Sequence, residues 1–295
     1  MGTAATILVT AAGIALMGVA LRDVFDVLFH ETGKATVSHG VTRAVWWVFG
    51  RLAGVSQEAF ALAGPFALLA VVASWALLLI AGWTLVFWPH MPGSFHFASG
   101  VPAGHDLVDA LYLSMVTLAT VGFGDITPAG SVLRVVTPLE ALLGFGLLTA
   151  SISWLLSIYP VLSRRRSLAY EINLLTHSEQ EIGAAVLDLD EGAAEAVYSE
   201  LTSRLVAVER DMATFPVAYY FAERDERFSL PARMSALLEL AERGTAEDAP
   251  ARVRLRATML HEAIDDFART AQGFHGISGD STAEMLKGYA RDHRR

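Results

Sequence analysis

Cysteine is absent from the 295 residues, which excludes a disulfide framework, a thiolate metal site and a cysteine nucleophile. Charge is scarce too. Asp, Glu, Lys and Arg make up 18% of the chain against 53% hydrophobic residues, too apolar a balance for an ordinary water-soluble protein of this length. The shortage is uneven, with 5 Lys and Arg against 8 Asp and Glu up to Ser163, and 17 against 23 after it. Both parts are net negative, which gives no support to nucleic-acid binding. Residues 1–21 and 89–128 contain no Lys or Arg at all. The first of these gaps removes the basic n-region of a cleaved signal peptide, so residues 1–21 read as a retained helix. No Gly-x-Gly-x-x-Gly follows a strand pattern after Arg164, so a dinucleotide-binding turn is missing.

Long apolar runs are what the chain has instead. Residues 1–21 and 59–88 carry no charged side chain, and residues 131–163 carry only Arg134 and Glu140. Each is long enough for a helix to cross a bilayer core, which takes about 20 residues. The expected fold class is therefore an all-α membrane protein, with the lipid bilayer as its first partner. Lys34, Arg43 and Arg51 between the first two runs, and Arg164, Arg165 and Arg166 after the third, orient the chain. Residues 30–58 and everything after 163 are expected in the cytoplasm, with the N-terminus and residues 89–130 outside. Residues 42–52 mix Trp46, Trp47 and Phe49 with Arg43 and Arg51, a composition that suits either a helix in the headgroup layer or a loop with interfacial tryptophans. Arg22 is expected to pair with Asp26 at i,i+4.

Between the second and third runs, Asp106 can cap a short helix over about 107–118. That helix is too short to cross, and a half-span that turns back is tolerated only where protein encloses it or it lines a water-filled path. It leads into Thr117-Leu-Ala-Thr120-Val121-Gly122-Phe123-Gly124-Asp125. This string resembles the pore-loop signature of potassium channels: Thr, two residues, Thr, one residue, Gly, Tyr or Phe, Gly, Asp. The resemblance covers roughly residues 60–159. It implies a pore domain at 59–163, with an outer helix at 59–88, a pore helix at 106–119, a filter at 120–125 and an inner helix at 131–160. Residues 1–29 are then an extra N-terminal transmembrane helix, 30–58 a cytoplasmic or interfacial segment and 164–295 a cytoplasmic helical domain.

The chemistry of such a loop explains its residue types. A dehydrated K⁺ needs its water oxygens replaced by stacked rings of backbone carbonyls and one hydroxyl. Aiming consecutive carbonyls at one axis requires alternate residues to leave the negative-φ regions, which Gly122 and Gly124 do without a Cβ penalty. The resemblance implies that Thr120, Val121, Gly122, Phe123 and Gly124 bind the permeant K⁺, the hydroxyl of Thr120 giving the innermost ring. Asp125 would form a carboxylate ring at the outer mouth. The chain holds one such loop and no repeat of it, so several copies must close the ring, and the family makes that a homotetramer. No organic cofactor and no enzymatic step is implied. The expected location is the plasma membrane.

Support for the filter is expected from Thr117 and Glu140. Phe123 has no hydroxyl to tie the filter to the pore helix, so packing is expected to set its width, and Val116 stands where some relatives carry a buttressing glutamate. Glu140 lies nine residues from Thr149, the opposite side of a helix at 100° per residue. Gly146, Thr149, Ser153 and Ser157 form a polar stripe suited to a wet cavity, which turns Glu140 toward the pore helix; alignment on the family instead turns Phe145, Leu148 and Ile152 to the axis. Gly144 falls where relatives often carry a gating hinge, and Gly146 is grouped with it. Pro160 is expected to end the inner helix. His90, His96 and His105 read as scattered solvent histidines, and Arg134 as a residue snorkelling to the interface.

After Arg164 the pattern is helical. Tyr198, Leu201, Leu205, Val208, Met212 and Phe215 repeat at 3 and 4, as do Ala257, Leu260, Ile264, Phe267, Ala271 and Phe274. Both seams are under three heptads, which favours a packed bundle over a long coiled coil. Breaks fall near 188–192, 215–216, 230–231 and 244–250. The bundle either gates through the inner helix or only assists assembly, and nothing in it names a cytoplasmic ligand or partner. The rival from another class is a non-conducting membrane anchor that displays the bundle as a sensor or interaction module.

Overall fold

The computed structural model describes residues 2–29, 35–52, 60–100, 106–273, 277 and 279–293. In chain order the helices are α1 (Thr3–Phe29), α2 (Thr36–Leu52), α3 (Ala63–Phe87), α4 (Asp106–Leu118), α5 (Ser131–Ile182), α6 (Glu191–Thr214), α7 (Leu230–Gly244), α8 (Ala251–Gln272) and α9 (Thr282–His293). Between α3 and α5 two short strands, β1 (Phe95–Phe97) and β2 (Ile126–Pro128), pair antiparallel with His96 opposite Thr127. Helices α1, α3 (with a short continuation to His90) and α5 are each long and apolar enough to span a membrane. The protein is a multi-pass, all-α membrane protein. Its chain divides into two compact units, one of residues 1–41 and 69–156, the other of residues 42–68 and 157–295.

In the first unit, α1 and α3 cross at paired glycines. A Cβ on Gly13 would come 2.5 Å from the Gly82 carbonyl oxygen, and one on Gly82 would come 2.5 Å from Met17 Cγ, so only glycine permits this approach. The charged Asp23 of α1 is buried. Its carboxylate accepts from the Trp75 indole N–H at 2.8 Å, from the backbone N–H of Val37 at 2.9 Å and of Ser38 at 3.1 Å, and from the Ser38 hydroxyl. It thus caps the start of α2 and satisfies an indole inside an apolar span. Arg22 reaches Asp26 at 3.8 Å while 84% exposed, a pair of little energetic weight. Helix α4 wedges between the spans: Ala110 and Leu113 pack with Trp83, Phe87 and Leu133, and Leu118 with Ala20 and Leu79.

The second unit is a helical bundle. The apolar seam of α6 (Tyr198, Leu201, Leu205, Val208, Met212) and that of α8 (Ala257, Leu260, Ile264, Phe267, Ala271) are buried in one core with Met234, Leu237 and Ala241 of α7. Phe274, the last member of the second expected seam, lies outside the described residues. Asp190 caps α6 by accepting from the N–H groups of Gly192 and Ala193 at 3.1 and 3.0 Å. Helix α6 ends before Pro216, and α7 starts with Pro231 in its first turn, where a missing N–H is harmless.

Two expectations are corrected here. Helix α5 does not stop at Pro160 but runs to Ile182. A proline removes one N–H and strains one turn, about 3 kcal/mol, while Ile158, Val161, Leu162, Leu168, Ala169 and Ile172 are all buried beyond that cost. Residues 42–52, read as a headgroup-layer helix or as a loop with interfacial tryptophans, are helical, but Trp46 is not interfacial: it is 1% exposed and belongs to the bundle core with Phe60 and Ala63. Bundle residues therefore come from before the pore segment as well as after it.

Candidate functional site

Helix α4 ends at Leu118, and the loop that follows is tied to its last turn. The N–H of Thr120 donates to the Thr117 carbonyl at 2.9 Å, and the N–H groups of Val121 and Gly122 both donate to the Val116 carbonyl, at 2.9 and 3.1 Å. Thr117 and Val116 thus hold the loop through backbone rather than side chain. Beyond this anchor φ is +57° at Thr120, +54° at Gly122 and +78° at Gly124. Left-handed backbone at every second residue is the alternation that turns successive carbonyls the same way. At Thr120, which has a Cβ, it is strained by about 1–3 kcal/mol, a strain that clusters at functional sites.

Within one chain this loop is open. Residues 119–124 are exposed, with Val121 54% and Phe123 70% exposed. The apolar Val121 and Phe123 side chains are left largely exposed by their own chain. Behind the loop, a cavity of about 410 Å³ is lined by Leu113, Val116, Thr117, Phe123 and Ala141 among others.

Sequence reasoning missed the tie at the loop's far end. The Tyr112 hydroxyl of α4 donates to Asp125 Oδ2 at 2.8 Å, and the Asp125 carbonyl accepts from Ala98 N–H at 2.8 Å. A hydroxyl thus ties this loop to α4, supplied by Tyr112 instead of residue 123. The signal was a tyrosine thirteen residues ahead of the aspartate, on a helix that must run back beside the loop.

Glu140 of α5 is fully buried, and its Oε1 accepts from the Ser114 hydroxyl at 2.6 Å. Ser114 also lies 3.1 Å from the Ile80 carbonyl, so α3, α4 and α5 meet at one hydroxyl. No hydrogen bond is made to Glu140 Oε2 among the described residues. One turn along α5 from Glu140, Gly144 is buried against the end of α4, where a Cβ would overlap the Leu118 carbonyl oxygen. Glu140 and Gly144 thus meet Ser114 and Leu118, four residues apart on each helix. Gly146 has open space around it, and α5 is helical through both glycines. The polar stripe Gly146, Thr149, Ser153 and Ser157 is exposed, and so are Phe145, Leu148 and Ile152. His90 Nδ1 sits 3.0 Å from the Val86 carbonyl, His96 and Arg134 flank a pocket at the hairpin, and His105 lies outside the described residues.

In the bundle, the arginines that follow the third apolar run are engaged. Arg164 pairs with Asp211 at 2.6 Å and Arg166 with Glu223 at 2.8 Å. Arg165 is 1% exposed and donates to the carbonyls of Ala218 and Phe221. Around them Asp292 of α9 accepts from the Tyr219 hydroxyl at 2.7 Å and the Trp46 indole at 3.2 Å. Among the described residues no group of three or more His, Asp or Glu is arranged to hold a metal ion.

Residues 66–159 match the family described as "Ion channel". The chain is similar to the uncharacterized membrane protein YdjJ of Bacillus subtilis (strain 168), 26% identical over 172 residues, covering 58% of this chain and 50% of that protein. It is similar to two pore potassium channel c of Oryza sativa subsp. japonica, 37% identical over 78 residues, or 25% of this chain and 17% of that one. Two-pore potassium channel 3 of Arabidopsis thaliana is 40% identical over 53 residues, 18% of this chain and 12% of that one. The chain thus spans at most half the length of these relatives. No solved structure matches it. The matched residues contain the α4 half-span, the alternating-φ loop and most of the flanking spans, so over this segment the chain is similar to ion channels, potassium channels among them.

Proposed function

We propose that the protein is a K⁺-selective channel in which four copies surround one axis and each contributes residues 120–125 to a shared filter. In this reading the Thr120 hydroxyl and the carbonyls of Thr120, Val121, Gly122 and Phe123, continued by Gly124, replace the hydration shell of K⁺. Asp125, held by Tyr112, forms the outer carboxylate ring that concentrates cations. Thr117 and Glu140 support the filter from behind. Gly144 and Gly146 are the positions on α5 where a gating motion would register, and the bundle joined to α5 regulates that motion. The membrane is the plasma membrane, with the bundle on the cytoplasmic side.

The observation that carries this reading is the alternation of positive φ at Thr120, Gly122 and Gly124 in a loop left open by its own chain. Strained backbone and two exposed apolar side chains are costly for a subunit that acts alone, and are relieved when neighbours cover Val121 and Phe123. A membrane anchor that conducts nothing has no use for that strain.

The test is reconstitution of the purified protein into liposomes or planar bilayers under opposed K⁺ and Na⁺ gradients. The reversal potential is expected to follow the K⁺ equilibrium potential, and native mass measurement in detergent to give four subunits. A reversal potential indifferent to K⁺, or a monomer as the conducting species, would sink the reading.

A further inference from the structure

Helix α2 carries its positive charge on the face that the rest of the chain leaves uncovered. Ser38, Thr42 and Trp46 form its buried side. Arg43, Ala44, Trp47, Val48 and Arg51 lie on the other side and are exposed, Trp47 by 54%. Tryptophan, valine and arginine turned outward together are the composition of a helix face that meets headgroups. The helix contains no Asp or Glu, within a protein of net charge −9. Neither Arg43 nor Arg51 is ion-paired among the described residues.

Two contacts fix what this face meets. The Arg51 guanidinium lies 3.5 Å from the centre of the Trp47 ring. Stacking orders the guanidinium without using its in-plane N–H groups, which can take a phosphate through two parallel hydrogen bonds. Phe49 of α2 packs at 5.4 Å against Phe66, in the first turn of α3, where that spanning helix begins. The C-terminal half of α2 therefore lies beside the first turn of α3, and tryptophan next to the start of a spanning helix is the composition enriched at membrane–water interfaces.

We propose that the exposed face of α2, through Arg43, Arg51 and the Trp47 ring, binds the phosphate headgroups of anionic phospholipids in the leaflet that α3 enters from its N-terminal end. This surface is separate from the filter and does not depend on K⁺ conduction. Each arginine near an anionic surface is expected to change lipid affinity about fivefold, so the two together about 25-fold.

The experiment reads binding, so its failure is distinct from a failure to conduct. The full chain is purified in neutral detergent and offered equal amounts of phosphatidylglycerol and phosphatidylcholine, and retained lipid is counted by native mass spectrometry. The wild type is expected to retain phosphatidylglycerol over phosphatidylcholine, R43Q/R51Q to lose about 25-fold in that preference, and R43K/R51K to keep most of it. Because both substituted positions are exposed, the charge-conserving pair controls for folding. Equal preference in the wild type and R43Q/R51Q overturns the proposal. So does a rise in unfolding temperature with inorganic phosphate as large as that with phosphatidylglycerol, which would mark a free-anion site instead of a membrane surface.

Discussion

A hydroxyl, a carboxylate and a missing methyl carry most of what surrounds the loop at the scale of single residues. Tyr112→Phe removes a hydrogen bond to a carboxylate, worth about 1.5–3 kcal/mol. Steady-state K⁺ current in reconstituted protein is expected to fall roughly tenfold through loss of the conducting filter, with the expression level unchanged; unaltered current would show that Tyr112 is not a support. Glu140→Gln keeps the acceptor for Ser114 but replaces the carboxyl group by an amide at a site with 0% exposure, so open probability in single-channel records is expected to shift with the assembled mass unchanged. The two glycines of α5 separate close approach from hinge bending. Gly144→Ala drives a methyl into the Leu118 carbonyl, whereas Gly146→Ala meets nothing within 4 Å. Loss of current is expected for the first and near-normal current for the second. Equal effects of the two would point to helix flexibility as their common role.

Elements show where local rules were overruled. Proline predicts a stop at 160, and as a local rule that is sound; the helix goes on because one side of it is buried in the bundle from Ile158 to Ile172. Helix α9 closes the same bundle through Asp292. Asp292→Ala deprives two buried donors, the Tyr219 hydroxyl and the Trp46 indole, of this acceptor. A loss of about 2–4 kcal/mol follows, seen as a fall of roughly 5–15 °C in the unfolding of the bundle. Beside it His293 presents Nε2 at 2.7 Å to the Tyr219 carbonyl and Nδ1 at 3.1 Å to the Tyr289 carbonyl. Burial, first, and then the Arg165 charge push its imidazole from the usual 6.5 down to about 4. Between those values the unfolded chain holds a proton that the folded chain lacks, so stability falls as pH drops through that window. Thermal unfolding of His293→Gln is expected to lose that part of the pH dependence between pH 7 and pH 4.5, and a pH profile parallel to the wild type would contradict it.

The whole molecule raises the question of what a truncation can test. Removing residues 176–295 to probe regulation also uncovers Trp46, Phe60, Leu168 and Ile172, which are buried with the bundle. Such a protein is expected to aggregate and to say nothing of gating. Arg165→Met is the finer tool, since it withdraws the two hydrogen bonds to the Ala218 and Phe221 carbonyls while keeping a side chain to fill the space.

Periodicity and composition determined much of this protein unaided. A run of uncharged residues has one low-energy solution in a bilayer, and a Thr-x-Gly-Phe-Gly string needs its glycines for a backbone few residues adopt, so the spans, the half-span and the loop could be read directly. Helical arithmetic also turned Glu140 toward α4, because a 100° step is a local property. Only the tertiary structure decided that Trp46 is core and Trp47 surface, that α5 outlasts its proline, that Tyr112 reaches Asp125, and that Asp23 gathers an indole and a helix start. Each of these depends on which side chain meets which across tens or hundreds of residues. Burial and hydrogen-bond satisfaction are settled by those distant partners, and no local pattern records them.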